Sequence, residues 1–275
     1  MHLEDGVCDI LAKAMAGHGF SVEDLIGTGF SKEAVEAVLS GDLDVPEAEG
    51  LAHRLKLDLP ALRRIASGSY CPKVDIPSGL KLFTTPFPVP GYEEMTVNAY
   101  LYFDTSSRDA VIFDTGADAN GILDVIAENF LNVRAIYLTH AHRDHIAGLD
   151  LLRTTFPTVP IWIDSKELFS VAQAIDEEDS HVFDGFKVAS CSTSGHSPGG
   201  RTYILNTESM TLAVVGDALF AGSMGGARNQ LPISIAALRQ HVLSLPEQTI
   251  LCPGHGPLTT VALERVNNAF LASRV

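Results

Sequence analysis

The stretch Thr139-His140-Ala141-His142-Arg143-Asp144-His145 constrains this chain more than any other. It places four side chains of metal-ligating type, His140, His142, Asp144 and His145, within six residues. They follow the apolar run Ala135-Ile136-Tyr137-Leu138, which its β-rich composition and polar flanks mark as a buried strand. The ligands then occupy the loop at the strand's C-terminal end, where the backbone is free to turn side chains inward. Imidazole nitrogen and carboxylate oxygen suit zinc or iron(II). The plainer reading is a polar surface loop with a chance cluster of histidines.

The rest of the chain argues against chance. His196 stands in Ser194-Gly195-His196-Ser197-Pro198-Gly199-Gly200, Asp217 ends Ala213-Val214-Val215-Gly216-Asp217, and His255 stands in Cys252-Pro253-Gly254-His255-Gly256-Pro257. Each is a His or Asp at the end of an apolar run in a Gly/Pro-rich loop. The order His-x-His-x-Asp-His, Gly-His-Ser-Pro-Gly, Gly-Asp-Ala-Leu-Phe and Pro-Gly-His-Gly-Pro resembles the metallo-β-lactamase superfamily. Gly216-Asp217-Ala218-Leu219-Phe220-Ala221-Gly222-Ser223 and the tail Thr259-Thr260-Val261-Ala262-Leu263-Glu264-Arg265 resemble its short glyoxalase II-like hydrolases more closely.

That resemblance spans residues 79–275 and implies an α/β fold: an αββα sandwich with a metal site at one edge, preceded here by a small all-α domain. It also implies two divalent ions, zinc first and iron or manganese next. His140, His142 and His196 hold one ion, Asp144, His145 and His255 the other, and Asp217 bridges. Asp114, in the turn Asp114-Thr115-Gly116, supports a metal-bound histidine from behind. Two close cations share a hydroxide, lower its pKa and clamp a developing oxyanion, which suits hydrolysis of an activated acyl group such as a thioester. Asp144 is the residue placed to orient the attacking hydroxide. No Gly-x-Ser-x-Gly elbow supports a serine-hydrolase route.

For a small-molecule substrate the sequence offers one candidate contact. The family loop after the bridging aspartate runs Gly-Ser-x-Gly-Arg-Thr-Asp, whereas here it reads Gly222-Ser223-Met224-Gly225-Gly226-Ala227-Arg228-Asn229-Gln230. The displaced Arg228 can meet an anionic group or lie solvated. Only twenty residues follow His255, so the long helical extension with which full-length glyoxalase II enzymes grip glutathione is missing or replaced. Two other functions stay open. In the resemblance, a mononuclear iron persulfide dioxygenase uses His140, His196 and Asp217 alone. A sensor would couple the metal site to a DNA-binding segment.

Residues 1–67 read as short helices, with Ser21 and Ser31 as caps. Val22 to Gly41, with Ala52-His53-Arg54-Leu55-Lys56-Leu57 and Leu62 behind, resembles a repressor/Cro-type helix-turn-helix. A recognition helix needs Arg, Lys, Asn or Gln to reach bases and phosphates; this one offers Ser31, Lys32, Glu33, Glu36 and Ser40. Residues 1–78 hold thirteen Asp/Glu against seven Lys/Arg, a net of -6. That balance repels a phosphate backbone and points to packing, dimer formation or a lid instead. The whole chain, at -15, argues equally against nucleic acid and anionic membrane as general partners. A homo-oligomer joined through the N-terminal helices is the partner the chain allows.

Residues 68–78 form a turn-rich linker to the second domain, 79–275. Strands are expected at 80–84, 96–103, 110–113, 159–163, 182–189, 203–205 and 249–251. Helices are expected at 121–130, from 146 to 152, at 234–245 and at 260–272. Trp162 belongs to the core, His181 and His241 lack motif neighbours, and the run Asp176-Glu177-Glu178-Asp179 reads as a solvated loop. The widely spaced Cys8, Cys71, Cys191 and Cys252 suggest buried thiols in a reducing compartment. The chain shows no basic, apolar leader and no apolar run of membrane-spanning length, so a cytoplasmic location is the expectation.

Overall fold

The computed structural model describes residues 2–90, 92–176 and 179–272. Two six-stranded sheets face each other. The first runs β1 (Leu80–Pro86), β2 (Thr96–Phe103), β3 (Asp109–Phe113), β4 (Asn132–Tyr137), β5 (Ile161–Ile163) and β6 (Gln173–Ala174) in that order. The second places β7 (Ser180–Phe183), β8 (Phe186–Ser192), β9 (Arg201–Asn206), β10 (Thr211–Gly216), β11 (Ile250–Pro253) and β12 (Thr259–Thr260) side by side. Within each sheet hairpins give antiparallel pairs, while β3 to β6 and the pair β10–β11 run parallel.

Period-two alternation explains why the central strands are apolar on both faces. In β2, Tyr100 and Tyr102 point into the inter-sheet core with Phe113, Tyr137, Tyr203 and Val214. The intervening Ala99 and Leu101 point outward, to the helices α6 (Asn120–Glu128) and α8 (Leu149–Thr155), where Ile122, Ile126, Leu149 and Leu152 cover them. Between β4 and α8 lies the one-turn helix α7 (Arg143–Ile146). On the second sheet, Ala213, Val215 and Leu251 face a third cluster with Leu231 of α9 (Leu231–Ala237) and Val261 of α10 (Val261–Asn267). The result is a four-layer α/β metallo-β-lactamase arrangement, preceded by helices.

Those preceding helices are α1 (Val7–His18), α2 (Val22–Gly27), α3 (Lys32–Leu39), α4 (Ala48–Arg54) and α5 (Leu59–Ala66). Ser21 and Ser31 cap α2 and α3, accepting from Asp24 N and Ala34 N at 3.1 Å each. Ile10, Leu11, Leu51 and Leu62 do not close a core of their own: they join the cluster that contains Leu231, Leu238, Val242 and Phe270. Polar ties reinforce the junction, with Asp58 N donating to Ala269 O at 2.8 Å and Arg64 Nε to Asn267 Oδ1 at 2.8 Å. In the connecting residues 68–78, the buried Tyr70 donates its hydroxyl to Glu264, which also accepts from Thr259 Oγ1 at 2.7 Å and Gly222 N at 2.9 Å.

Several boundaries differ from the sequence expectation, each for a local reason. The strand expected at 182–189 is the hairpin β7–β8, turned at Asp184-Gly185, where Gly185 sits at φ +92°. The helix expected from Ile146 breaks between α7 and α8, where the Gly148 amide donates to Gly116 O at 3.1 Å and Thr115 Oγ1 at 3.0 Å and not to a helix carbonyl. The helix expected over 234–245 starts at Leu231 and widens into a π turn over Leu238–Val242. The last helix stops at Asn267, since Asn268 turns extended and spends its amide on Ser223 O at 2.6 Å and Glu264 Oε2 at 2.9 Å. Cys191 and Cys252 are buried and outside any disulfide, whereas Cys8 and Cys71 are exposed, against the expectation that all four are buried. Of the acidic run, Glu177 and Glu178 lie outside the described residues. Among the described residues no helix is long and apolar enough to cross a membrane.

Candidate metal centre

The parallel pairs β3–β4 and β10–β11 bring four strand C-termini to one edge of the sandwich. Asp114 follows β3, the His140–His145 loop and α7 follow β4, Asp217 follows β10 and His255 follows β11. The loop between β8 and β9 adds His196. All seven residues read from the sequence as ligands meet there, in two groups. In each of them, one ligand atom per residue lies within 4.8 Å of every other: His140, His142, His196 and Asp217, then Asp144, His145 and His255.

In the first group His142 Nδ1 lies 3.0 Å from both His140 Nε2 and His196 Nε2. In the second, Asp144 Oδ2 lies 3.5 Å from His145 Nε2 and 3.3 Å from His255 Nε2. Asp217 reaches across both: Oδ1 is 3.2 Å from His145 Nε2, and Oδ2 is 3.3 Å from His196 Nε2 and 3.4 Å from His255 Nε2. A tetrahedral ion with bonds of about 2.0–2.1 Å sets its ligands about 3.3 Å apart, so these separations fit. His145 Nε2 and Asp217 Oδ1 are buried and misaligned for a hydrogen bond with any described group. Two orphaned ligand atoms facing each other is costly unless a cation completes them.

The surroundings prepare the rings. Asp114, at φ +55°, accepts from Thr139 N at 2.7 Å and from Thr139 Oγ1 at 2.8 Å, and its Oδ2 lies 2.8 Å from His145 Nδ1. Thr139 Oγ1 also lies 3.0 Å from His140 Nδ1. The backbone carbonyl of Thr96 holds His255 Nδ1 at 2.6 Å, and that of Gly226 holds His196 Nδ1 at 3.3 Å. With their outer nitrogens so engaged, the inner ones are presented to the metal. Burial, with the positive field of His145, pushes His140 well below its ordinary pKa, and burial likewise lowers His196, so both rest in the neutral ligand form. Burial opposes ionisation of Asp217, but His145 and His255 outweigh it and hold the carboxylate well below its usual range.

One neighbour was not foreseen from sequence. Glu167 Oε2 accepts from Ala141 N at 2.8 Å and Oε1 from Gly199 N at 3.0 Å, so a single carboxylate ties the His140–His142 loop to the His196 loop. Nothing in Ser165-Lys166-Glu167 announces it; the nearest signal is Gly199, which leaves room for that side chain. Arg228 is exposed at φ +32° and its guanidinium makes no ion pair among the described residues. His181 lies apart from the centre, with Nδ1 2.6 Å from the Tyr137 hydroxyl and its ring beside Trp162.

The family model of the metallo-beta-lactamase superfamily matches residues 92–255. The hydroxyacylglutathione hydrolase GloC of Haemophilus influenzae is 27% identical over 212 residues, covering 68% of this chain and 97% of that protein. The mitochondrial persulfide dioxygenase ETHE1 of Homo sapiens is 33% identical over 179 residues, covering 62% of this chain and 69% of that protein. Among solved structures, that of the BLEG-1 B3 metallo-beta-lactamase superposes with a TM-score of 0.59 at 30% identity, covering 70% of this chain and all of that one. The fold, the strand-end histidines and aspartates, and the matched span agree, and the chain belongs to the metallo-beta-lactamase superfamily, whose fold implies divalent metal binding.

Proposed function

We propose that this chain hydrolyses a thioester or a similarly activated acyl compound at a two-metal centre. The observation that carries the reading is the complete second ligand set, with Asp144, His145 and His255 gathered beside Asp217. Two divalent cations held there would supply an acidified water and a polarised carbonyl. His140, His142 and His196 would hold one ion, Asp144, His145 and His255 the other, with Asp217 between them. Zinc suits this donor set first, and iron or manganese next. Asp144, tied to His255 at 3.3 Å, is placed to orient the nucleophile. Asp114, Thr96 and Glu167 hold ligand rings and loops so that little reorganisation accompanies reaction. Arg228, exposed beside the site loop, is free to meet an anionic substrate group.

Persulfide dioxygenation is the second reading, favoured by the likeness to ETHE1. It needs only two histidines and a carboxylate with open positions, which leaves the second set without work. The deciding experiment compares S-lactoylglutathione cleavage with oxygen uptake on glutathione persulfide, in the parent and in His255→Ala. Thioester cleavage lost in the variant supports hydrolysis. Oxygen uptake that survives the change, with no thioester cleavage in the parent, rejects it.

Nucleic acid is no partner in this reading. The exposed face of α3 carries Lys32, Glu33 and Glu36, and Lys32 is paired to Glu36 at 3.6 Å. Salt-sensitive, sequence-dependent retardation of a DNA probe by the intact protein would overturn this and revive the sensor.

A further inference from the structure

The N-terminal segment, outside the span that matches the family, packs against two loops that adjoin the metal ligands. Asp5 is buried, and its Oδ2 receives Lys13 Nζ at 2.5 Å and Ser223 Oγ at 2.5 Å. Lys13 Nζ also donates to Met224 O at 3.1 Å and stands 4.8 Å from the centroid of the Phe220 ring. Phe220 and Ser223 exchange backbone hydrogen bonds of 3.1 and 3.0 Å, which close a tight turn. Asp5 and Lys13 therefore grip both ends of that turn.

Two contacts lead from the turn to the ligands. The Phe220 ring stands edge-on to His255, at 5.7 Å between centroids and 88°. Gly225 runs so close that a Cβ there would lie 2.9 Å from His196 Nδ1 and collide with the Asp217 carbonyl. Beyond Asp5, the backbone nitrogen of Glu4 lies 3.1 Å from where a Cβ on Gly256 would stand, next to His255. Anchoring α1 alone would not require the pair to converge on a loop that touches three ligand residues.

We propose that Lys13 and Asp5 are positioning residues of the metal centre: they fix the Phe220–Gly225 turn, and through it the His255 and His196 rings and the backbone of Asp217. The N-terminal helices are then a working part of the site. This rests on the metal-centre reading but on no choice of substrate. Loss of Lys13 leaves a desolvated carboxylate with one hydroxyl partner, which the loop relieves by moving.

The test uses full-length protein and zinc alone, with affinity read by competition against a chromophoric chelator, well below the melting temperature. Lys13→Met is expected to weaken zinc about tenfold, in the range seen when groups behind metal ligands are removed. Lys13→Arg is expected to restore most of the loss. Leu11→Ala, which destabilises the same helix from its buried face, is expected to lower Tm and leave zinc affinity unchanged. Asp5→Asn, which keeps the side-chain shape, replaces Lys13→Met if that variant does not fold. Zinc affinity within about twofold of the parent in the folded variant, or an equal loss in Leu11→Ala, overturns the proposal. If the parent takes up no zinc the titration is repeated with iron(II) and manganese, and a parent that takes up none of the three removes the metal-centre reading itself, and this inference with it.

Discussion

The Asp114 carboxylate lies 2.8 Å from His145 Nδ1 and turns the other ring nitrogen toward Asp217. Its own backbone stands at φ +55°, a conformation that Asn tolerates and most residues do not. Asp114→Asn therefore keeps the turn and the acceptor for Thr139 N, while removing the charge that fixes the ring. Metal affinity is expected to fall by about 10- to 100-fold with Tm nearly unchanged. Equilibrium dialysis against a graded metal buffer measures it; an unaltered affinity would show that the ring is held by packing alone.

Glu167 makes a comparable prediction for two loops at once. Glu167→Ala removes the acceptor for Ala141 N and Gly199 N together. Unpaired and partly buried, these donors cost about 1–3 kcal/mol each. The expected result is a lower Tm and weaker retention of the ion nearest His140, His142 and His196. Glu167→Gln, which keeps one oxygen acceptor, should fall between parent and Ala. A Tm equal to the parent's in the Ala variant would mean that water replaces the carboxylate without loss.

The histidines make the protein's stability pH-dependent once metal has been stripped by a chelator. Burial disfavours the charged form of His145 and His255, but Asp217 together with Asp114 or Asp144 outweighs it, raising them to about 10 and about 11. A folded pKa above the ordinary value of 6.5 gives stability that is full below 6.5 and is lost as pH climbs towards 10. His140 and His196 shift downward, so their cost appears below pH 6.5 instead. The stripped protein should accordingly be most stable near neutrality, with Tm falling steadily towards pH 10. With metal restored the alkaline fall should flatten, because coordination keeps the rings neutral. Melting curves of both forms across that range test it, and parallel slopes would refute it.

Local pattern carried a good part of this molecule. The run Ala135–Leu138 ends in β4 and its loop, and the Gly/Pro-flanked His196, Asp217 and His255 lie where strand ends meet. What local pattern missed is long-range or depends on one residue's backbone. Asp184-Gly185 lies inside an apolar stretch that otherwise reads as one strand, and only the left-handed Gly185 makes it a hairpin. Lys13 meets Met224 across 211 residues, and Glu167 bridges loops without any neighbouring signature. Such contacts come into being only once two sheets and their helices have packed. The helix-turn-helix resemblance rested on core positions, and those positions serve a cluster shared with α9 and α10.

That shared cluster yields the last prediction. Leu62 of α5 is fully buried among residues of both the N-terminal helices and the second sheet's covering layer, including Leu231, Leu238 and Phe270. Leu62→Ala leaves a cavity expected to cost about 2–5 kcal/mol. If the helices and the sandwich unfold as one cooperative unit, that cost reaches the far side of the molecule. Trp162, the single tryptophan, sits in β5 of the other sheet and reports on it separately. Its fluorescence transition and the far-ultraviolet helix signal should coincide in the parent and shift together in Leu62→Ala. Deleting residues 1–67 should expose Leu231, Leu238 and Phe270 and give an aggregating product. A tryptophan transition that stays in place while the helix signal shifts would instead make the N-terminal helices an independently folding domain.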